Sequence, residues 1–375
     1  MKYSYFRLDE LGIVSRGRSK HRPRNDSSLY GGEYPFIQTA DVKNAGLYIT
    51  EWNQTYNEKG LAQSKLWKPG TLCITIAANI ADTAILCMPA CFPDSIIGFI
   101  PFEDKCDVKY MKYCFDILQM ECQQIAEGTA QDNLSWEKLS TIRFPMPDIA
   151  IQNRIASILS AYDDLIENNR RQIKLLEEAA QQLYREWFVE LRFPGHENVK
   201  IVDGVPEGWS VNKIQDILTV CYGKDHKKVA DGDIPVYGSG GYMRACQRPL
   251  FTGQSVLIPR KGSLNNIMYV DESFWTVDTM FYTVMKLPHI AHYVFQFMKT
   301  LDFYNMNTGA AVPSTTSETL NNLMIMVPKE SILKQFDGIV QDLVSMKTCL
   351  EKQIRILTDI RDLLLPKLMS GEMEV

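Results

Sequence analysis

The feature that most constrains this chain is that it repeats itself. Displaced along itself by 181 residues, the stretch Gly128 to Phe188 falls on Gly309 to Met369 without a gap, pairing Gly128 with Gly309, Ala130 with Ala311, Glu137 with Glu318, Leu139 with Leu320 and Pro147 with Pro328. The match runs on through Ile151 and Ile332, Ile158 and Ile339, Gln172 and Gln353, Ile173 and Ile354, Leu176 and Leu357, and Leu183 and Leu364. Scattered identities on a shared apolar pattern mark two copies of one structural unit. Each copy has strand-like runs with Gly/Pro turns, then a proline, then a long helical pattern. The order predicts an α+β chain: a first domain over residues 1–148, a helix over 149–189, a linker over 190–208, a second domain over 209–329 and a second helix over 330–371.

In the first helical stretch apolar side chains recur at Ile151, Ile155, Ile158, Tyr162 and Leu165, then resume at Ile173, Leu176, Ala180, Leu183 and Trp187 after polar Asn168 and Asn169. The second carries Ile332, Phe336, Ile339, Leu343, Met346, Leu350, Ile354, Leu357 and Leu364, with Gly338 as its sole glycine before Pro366. Steps of three and four are the seam of a coiled coil. Helices of about 40 residues would each be roughly 60 Å long. A single stripe of this kind more often means core packing inside a separate bundle. Two stripes, each following an equivalent domain, point instead to antiparallel pairing with a pseudo-two-fold axis and a domain at either end. If the domains bind DNA, a rod of roughly 60 Å compares with one and a half to two turns of duplex.

Composition sets the remaining bounds. With 45% hydrophobic and 23% charged residues the chain can bury more than one core. The apolar region Thr71 to Phe102 is interrupted by Asn79, Asp82, Pro89, Pro93, Asp94 and Pro101, and Leu72, Ile74 and Ile76 alternate, so it reads as buried sheet and no membrane association is expected. Nine cysteines, at 73, 87, 91, 106, 114, 122, 221, 246 and 349, form no CxxC pair and are odd in number. They indicate neither a zinc framework nor a full disulfide set, and a reducing cytoplasm fits. The start MKYSYFRLDELG has no continuous apolar stretch behind Lys2, which argues against a secretory signal. A net charge of -5 means that any DNA contact must come from local basic patches.

The run PMPDIAIQNRIASILSAYDDLIENNRRQIKLLEEAAQQLYREWF, Pro145 to Phe188, closely resembles the central helical segment of type I restriction-modification specificity subunits. LRFPGHE, Leu191 to Glu197, and VPEGWS, Val205 to Ser210, look like that family's link into its second target-recognition domain, and Gly309 to Gly371 resembles its distal helical region. The resemblance implies two target-recognition domains, each reading one half of a split, asymmetric target in double-stranded DNA, with the helices setting the gap. It also implies that the helical regions dock two modification subunits and that restriction subunits complete the enzyme. S-adenosylmethionine, ATP and magnesium would then sit on those partners, with no cofactor or metal on this chain. Consistent with that division, the sequence has no N-P-P-Y/F or D-P-P-Y/F motif and no GxxxxGK[ST] phosphate loop.

Candidate DNA contacts fall in both domains. Arg16, Arg18, Lys20, Arg22 and Arg24 occupy every second position, with His21 among them, so on an extended segment they share one face. Such a face can track phosphates or fork onto guanine; a solvated basic loop explains the same pattern, since Gly17 and Pro23 would break a regular strand. In the second domain Tyr222, Lys224, His226, Lys227 and Lys228 occupy the corresponding region, and Arg260, Lys261 and Ser263 flank Gly262. Tyr237 and Ser239 belong to YGSGGY, Tyr237 to Tyr242, which reads equally as a DNA loop or a plain tight turn. The small-residue segments Gly128-Thr129-Ala130-Gln131 and Thr308-Gly309-Ala310-Ala311 are DNA-facing turns or packing turns.

An enzymatic alternative rests on Pro93-Asp94, eight residues, then Glu103-Asp104-Lys105, which fits the loose PD-ExK pattern of metal-dependent DNA endonucleases. Asp94 and Glu103 would hold magnesium and Lys105 would activate the attacking water. The second domain has no equivalent around Tyr269 to Lys286. His289 and His292 lack a carboxylate or cysteine at a diagnostic spacing and are expected on a helix running to Lys299. A purely structural coiled-coil adaptor explains the helices but not the duplicated base-bearing domains.

Overall fold

A computed structural model describes residues 2–76, 82–125, 139–306 and 314–375. It divides into two compact units, Met1–Arg171 with Leu350–Val375, and Gln172–Cys349. In the first the chain runs β1 (Ser4–Arg7), α1 (Leu8–Leu11), β2 (Gly12–Arg16), β3 (Tyr30–Pro35), α2 (Thr39–Asn44), β4 (Tyr48–Ile49), β5 (Thr55–Tyr56), α3 (Glu58–Ala62), β6 (Leu72–Thr75), β7 (Thr83–Leu86), β8 (Ile96–Pro101), α4 (Val108–Ile125) and β9 (Arg143–Met146). The apolar region from Thr71 to Phe102 thus folds as three strands of the sheet β2-β8-β6-β7-β4. Alternation along those strands serves two cores at once. Leu72, Ile74, Ile85, Ile97 and Phe99 pack on Tyr110, Met111 and Cys114 of α4, while Cys73, Ala84, Leu86 and Ile96 face Val42, Trp67 and Phe92.

The long helix α5 (Ile149–Tyr184) follows and ends in a π-helical turn, Arg185–Val189. The second unit then contains β10 (Ile201–Val202), β11 (Val205–Pro206), β12 (Ser210–Lys213), α6 (Ile214–Ile217), β13 (Leu218–Tyr222), β14 (Ile234–Gly238), β15 (Gly241–Cys246), β16 (Phe251–Pro259), β17 (Met268–Thr276), β18 (Met280–Met285), α7 (Ala291–Lys299), α8 (Ser317–Asn321) and β19 (Met324–Val327), before α9 (Glu330–Ser370). Its sheet, β13-β18-β16-β17-β14-β15, repeats the first unit's order and adds one edge strand. The correspondence reaches the register. Arg16 pairs with Ile97 as Tyr222 pairs with Phe281; β4 joins β7 in parallel as β14 joins β17; Ser4 faces Met146 as Ser210 faces Val327.

α9 runs through Gly338 and past Pro366 to Ser370, a span of 41 residues, and α5 spans 36. Within each unit they pack antiparallel. In the first, Arg361 reaches Asp163 and Asn169 reaches Gln353; in the second, Lys347 pairs with Glu177 and Phe336 packs on Tyr184 and Trp187.

The attachment of the helices to the sheet domain differs between units. In the first, buried Asp163 accepts hydrogen bonds from the Tyr113 hydroxyl and the Arg361 guanidinium, both at 2.5 Å. Burial pushes the Tyr113 phenol up, and the Asp163 carboxylate adds to the rise. Buried Gln152 receives the Asp107 N–H and donates to the carbonyls of Lys105 and Pro147. The repeat places Val344, Ala180 and Leu333 at the positions of Asp163, Arg361 and Gln152. All three are apolar, and they belong to or pack on the second unit's aromatic core around Tyr184, Trp187, Phe188, Tyr293 and Phe336.

Candidate nucleic-acid interface

Each candidate interface grows from the end of the first strand of the main sheet. In the first unit the chain stays extended beyond β2, so exposed Arg16, buried Gly17, exposed Arg18, buried Ser19 and exposed Lys20 alternate. The Gly17 N–H donates to Ile96 O and the Arg18 N–H to Phe92 O. Ser19 meets the Tyr56 hydroxyl, and the N–H groups of Lys20 and His21 share Gln63 Oε1. This backbone ladder holds Arg16, Arg18 and Lys20 on one outward face, and among the described residues none of their side chains has a recorded partner.

Arg22 and Arg24 behave differently. The Arg22 guanidinium donates to the carbonyls of Ser19 and His21, and Arg24 pairs with Asp94 at 2.6 Å. The turn between them is fastened by Asp26, whose carboxylate is held down to about 2 by hydrogen bonds from Ser28, with His21 adding its own. Five bases at alternate positions in the sequence are therefore three outward bases followed by two engaged in local bonds.

In the second unit exposed Tyr222, buried Gly223 and exposed Lys224 repeat the pattern. The Gly223 N–H donates to Met280 O and the Lys224 N–H to Thr276 O, the counterparts of the bonds at Gly17 and Arg18. Sequence reasoning passed over this shared glycine. A Cβ at Gly17 would collide with the carbonyl oxygen of Pro93, and one at Gly223 with that of Val277. Only a residue without a side chain lets the neighbouring turn approach this closely. A gapped alignment of Arg16-Gly17-Arg18 on Tyr222-Gly223-Lys224 would have exposed it.

Lys227 and Lys228 are exposed in the following loop. The Lys227 N–H caps Asp225 and holds that carboxylate below its usual range. Arg244 binds the carbonyls of His226 and Val229 and pairs with Asp231, so this arginine braces the loop. Further groups converge around the β17–β18 turn. The Tyr222 hydroxyl meets Ser317 Oγ at 2.8 Å, and the Arg260 guanidinium lies 5.5 Å from the centre of the Tyr222 ring. Lys261 is exposed and bridges to Ser314 through its backbone. Ser263 caps a turn, its carbonyl accepting from Asn266, and Asn266 in turn donates to Ser239 O. Tyr237 is half-buried in β14 with its hydroxyl on Glu272, so it supports the hairpin whose second strand carries exposed Tyr242 and Met243. The structure brings Tyr222, Lys224, Ser239, Arg260, Lys261 and Ser263 to one end of the second sheet; Tyr237 faces Glu272.

The segments Gly128-Thr129-Ala130-Gln131 and Thr308-Gly309-Ala310-Ala311 lie outside the described residues. The nuclease pattern does not assemble. Asp94 is bound to Arg24, and the six residues of β8 stand between Asp94 and Glu103, putting roughly 20 Å between them; Lys105 turns to Glu10 O and the Phe102 ring. His292 lies on α7 and His289 just before it. Asp337, distant in sequence, sits 2.9 Å from His289 Nδ1 and 4.0 Å from His292 Nε2, a carboxylate that spacing alone did not reveal. Among the described residues no group of three or more His, Cys, Asp or Glu is arranged to hold a metal, and no helix is long and apolar enough to cross a membrane.

Residues 2–178 and 206–357 match the family model described as the type I restriction modification DNA specificity domain. The MjaIX type I restriction enzyme specificity subunit of Methanocaldococcus jannaschii is 28% identical, covering 98% of this chain and 93% of the relative. The HindI type I restriction enzyme specificity subunit of Haemophilus influenzae is 22% identical, covering 96% and 98%. Among solved structures, the type I restriction-modification S subunit from M. genitalium aligns with a TM-score of 0.60 at 17% identity, covering 98% of this chain and 96% of that one, which is a likeness of fold.

Proposed function

The chain belongs to the type I restriction-modification DNA specificity family, and from that premise we propose that its two sheet domains are target-recognition domains reading the two halves of one split, asymmetric DNA sequence. As a specificity subunit it is a non-catalytic reader of DNA sequence that works in a complex with other restriction-modification subunits. One observation carries the two-reader proposal. Arg16-Gly17-Arg18 and Tyr222-Gly223-Lys224 leave their sheets by the same backbone hydrogen bonds, each presenting an outward base beside a glycine. Two copies of one presentation serve two stretches of duplex.

In the first domain Arg16, Arg18 and Lys20 supply the positive face; Arg22 and Arg24 shape the turn behind it. In the second, Lys224, Lys227, Lys228 and Lys261 supply phosphate contacts, with Tyr222, Ser239, Arg260 and Ser263 at their centre. α5 and α9 form an antiparallel coiled-coil spacer that sets the unread gap. Their lengths, about 54 and 62 Å at 1.5 Å per residue, favour a ruler of one and a half to two turns of duplex.

The helices also supply docking faces for two modification subunits. Exposed apolar side chains recur at equivalent positions, Ile158 and Ile339, Leu165 and Met346, Leu175 and Ile356. Apolar groups left in water favour burial against a partner, and their duplication favours two alike. S-adenosylmethionine, ATP and magnesium belong to the modification and restriction subunits, and the assembly works in the cytoplasm.

Footprinting tests the reading. The chain mixed with its modification subunit protects a bipartite site, while alone it neither cuts nor methylates DNA. Replacing residues 12–147 by the equivalent region of a relative changes one half of the target and leaves the other; an unchanged target removes the first domain as a reader.

A further inference from the structure

Among the bases at the end of the second sheet, Arg260 is held unlike the rest. Its N–H donates to Thr279 O at 2.8 Å and its carbonyl accepts from Thr315 N–H at 3.0 Å, so both backbone groups are pinned. Its guanidinium lies 5.5 Å from the centre of the Tyr222 ring, and Nη1 leans on Asp278 O at 3.4 Å. The ring is itself fixed. Its edge packs on fully buried Phe281, with centroids 5.0 Å apart at 67°, and its hydroxyl is tied to Ser317. No carboxylate is recorded in an ion pair with Arg260 among the described residues, in contrast to Arg24 with Asp94 and Arg244 with Asp231. Lys224, Lys227, Lys228 and Lys261 are exposed.

A phosphate asks of its partner only a positive charge within reach, which an exposed lysine supplies at many rotamers. Reading a base edge asks for more, a planar fork held at one angle. The strongest match to such a fork in the major groove is guanine, whose O6 and N7 accept two parallel N–H donors. We propose that Arg260, oriented by the Tyr222 ring, is the residue of the second domain that selects a guanine in its half of the target, while Lys224, Lys227, Lys228 and Lys261 hold phosphates. The inference rests on the reading of this domain as a target-recognition domain. Ser317 is then a positioning residue that acts through the Tyr222 hydroxyl.

The test uses the complex of the full chain with its modification subunit, selecting bound duplexes from a pool randomised over both half-sites. The unaltered complex selects G·C at one position of the second domain's half. Arg260→Ala and Arg260→Lys each lose that preference by about tenfold or more, with every other position kept. Tyr222→Phe, which retains the ring, loses less at that position than Tyr222→Leu. Lys227→Ala with Lys228→Ala weakens binding to all sequences alike and flattens its salt dependence. Uniform weakening by both Arg260 variants with unchanged base preferences would make Arg260 a phosphate contact and overturn the proposal. An altered preference at an A·T pair would overturn it equally. If the unaltered complex selects no bases in that half, the reading beneath the proposal fails, and the proposal with it.

Discussion

Where α5 and α9 attach to the first sheet domain, Tyr113, Asp163 and Arg361 meet in a largely buried hydrogen-bonded triad; at the places of Asp163 and Arg361 the second unit has Val344 and Ala180. Both units nevertheless pair the helices antiparallel against a sheet of the same strand order. The comparison separates two tasks that packing usually performs together. Apolar burial holds the second unit's helices in place through a cluster in which Phe336 touches Tyr184, Trp187 and Phe188. Such a cluster tolerates small slips because one apolar neighbour resembles the next. The triad does not. Moving α9 by one turn would bring Leu357 or Leu365 opposite Asp163 and strand a buried carboxylate, at a cost of several kcal/mol.

The largest effect expected to break this comparison is that of Asp163→Ala, which removes the buried carboxylate shared by Tyr113 and Arg361, leaves Arg361 only Asp362, and should cost about 3–5 kcal/mol. Val344→Ala at the matching site should cost about 1 kcal/mol. Urea midpoints of the full chain measure both, and equal losses would erase the distinction. Next come Gly17→Ala and Gly223→Ala, each expected to lose about 1–3 kcal/mol through collision with a backbone carbonyl. A large loss at one and none at the other would deny that the two domain edges are built alike.

Importing the second unit's chemistry into the first sharpens the comparison further. Asp163→Val and Arg361→Ala, with Tyr113→Phe to remove the hydroxyl they would orphan, should together fall within about 1 kcal/mol of the parent, because a buried ion pair exchanged whole for apolar groups is nearly neutral. A loss as large as that of Asp163→Ala alone would mean that the triad supplies stability rather than register. A further effect lies in alkaline solution. The Tyr113 phenol is held above its usual value in the folded chain, so its contribution is complete below about pH 10, the unfolded value, and drains away as pH rises further. Tyr113→Phe should flatten that decline by up to about 1.4 kcal/mol per pH unit, read as urea midpoints between about pH 9 and 11; parallel curves would remove the phenol from the account.

Much of this architecture was legible in the residues because it depends on period. Ile151, Ile155 and Ile158 announce a helix wherever they occur, and Leu72, Ile74 and Ile76 announce a strand. The repeat carried the order of elements from one half to the other. What stayed hidden depends on pairs distant in the chain. β4 and β14 join their sheets in parallel through two residues each, too few to leave a pattern. Asp163 and Arg361 look like solvated helix charges until the fold brings them together. The basic run from Arg16 to Arg24 was visible as composition, but its division at Lys20 follows from Gln63, Asp94 and Asp26, none of which any local rule connects to it. π-helical geometry at Arg185–Val189 likewise answers to packing, since Trp187 and Phe188 are buried there.

The cross-helix bonds carry a constraint on how a molecule of this kind can vary. Asp163 with Arg361 and Asn169 with Gln353 in the first unit, and Glu177 with Lys347 in the second, each act within their own unit like rungs, and a rung needs both rails. An insertion confined to one helix would leave every later rung without its mate, whereas whole turns added to both rails at facing points would keep each intact. Variants with a longer span should therefore be found with their two insertions inherited together, and a duplication in one rail alone should be rescued by a second, opposite it.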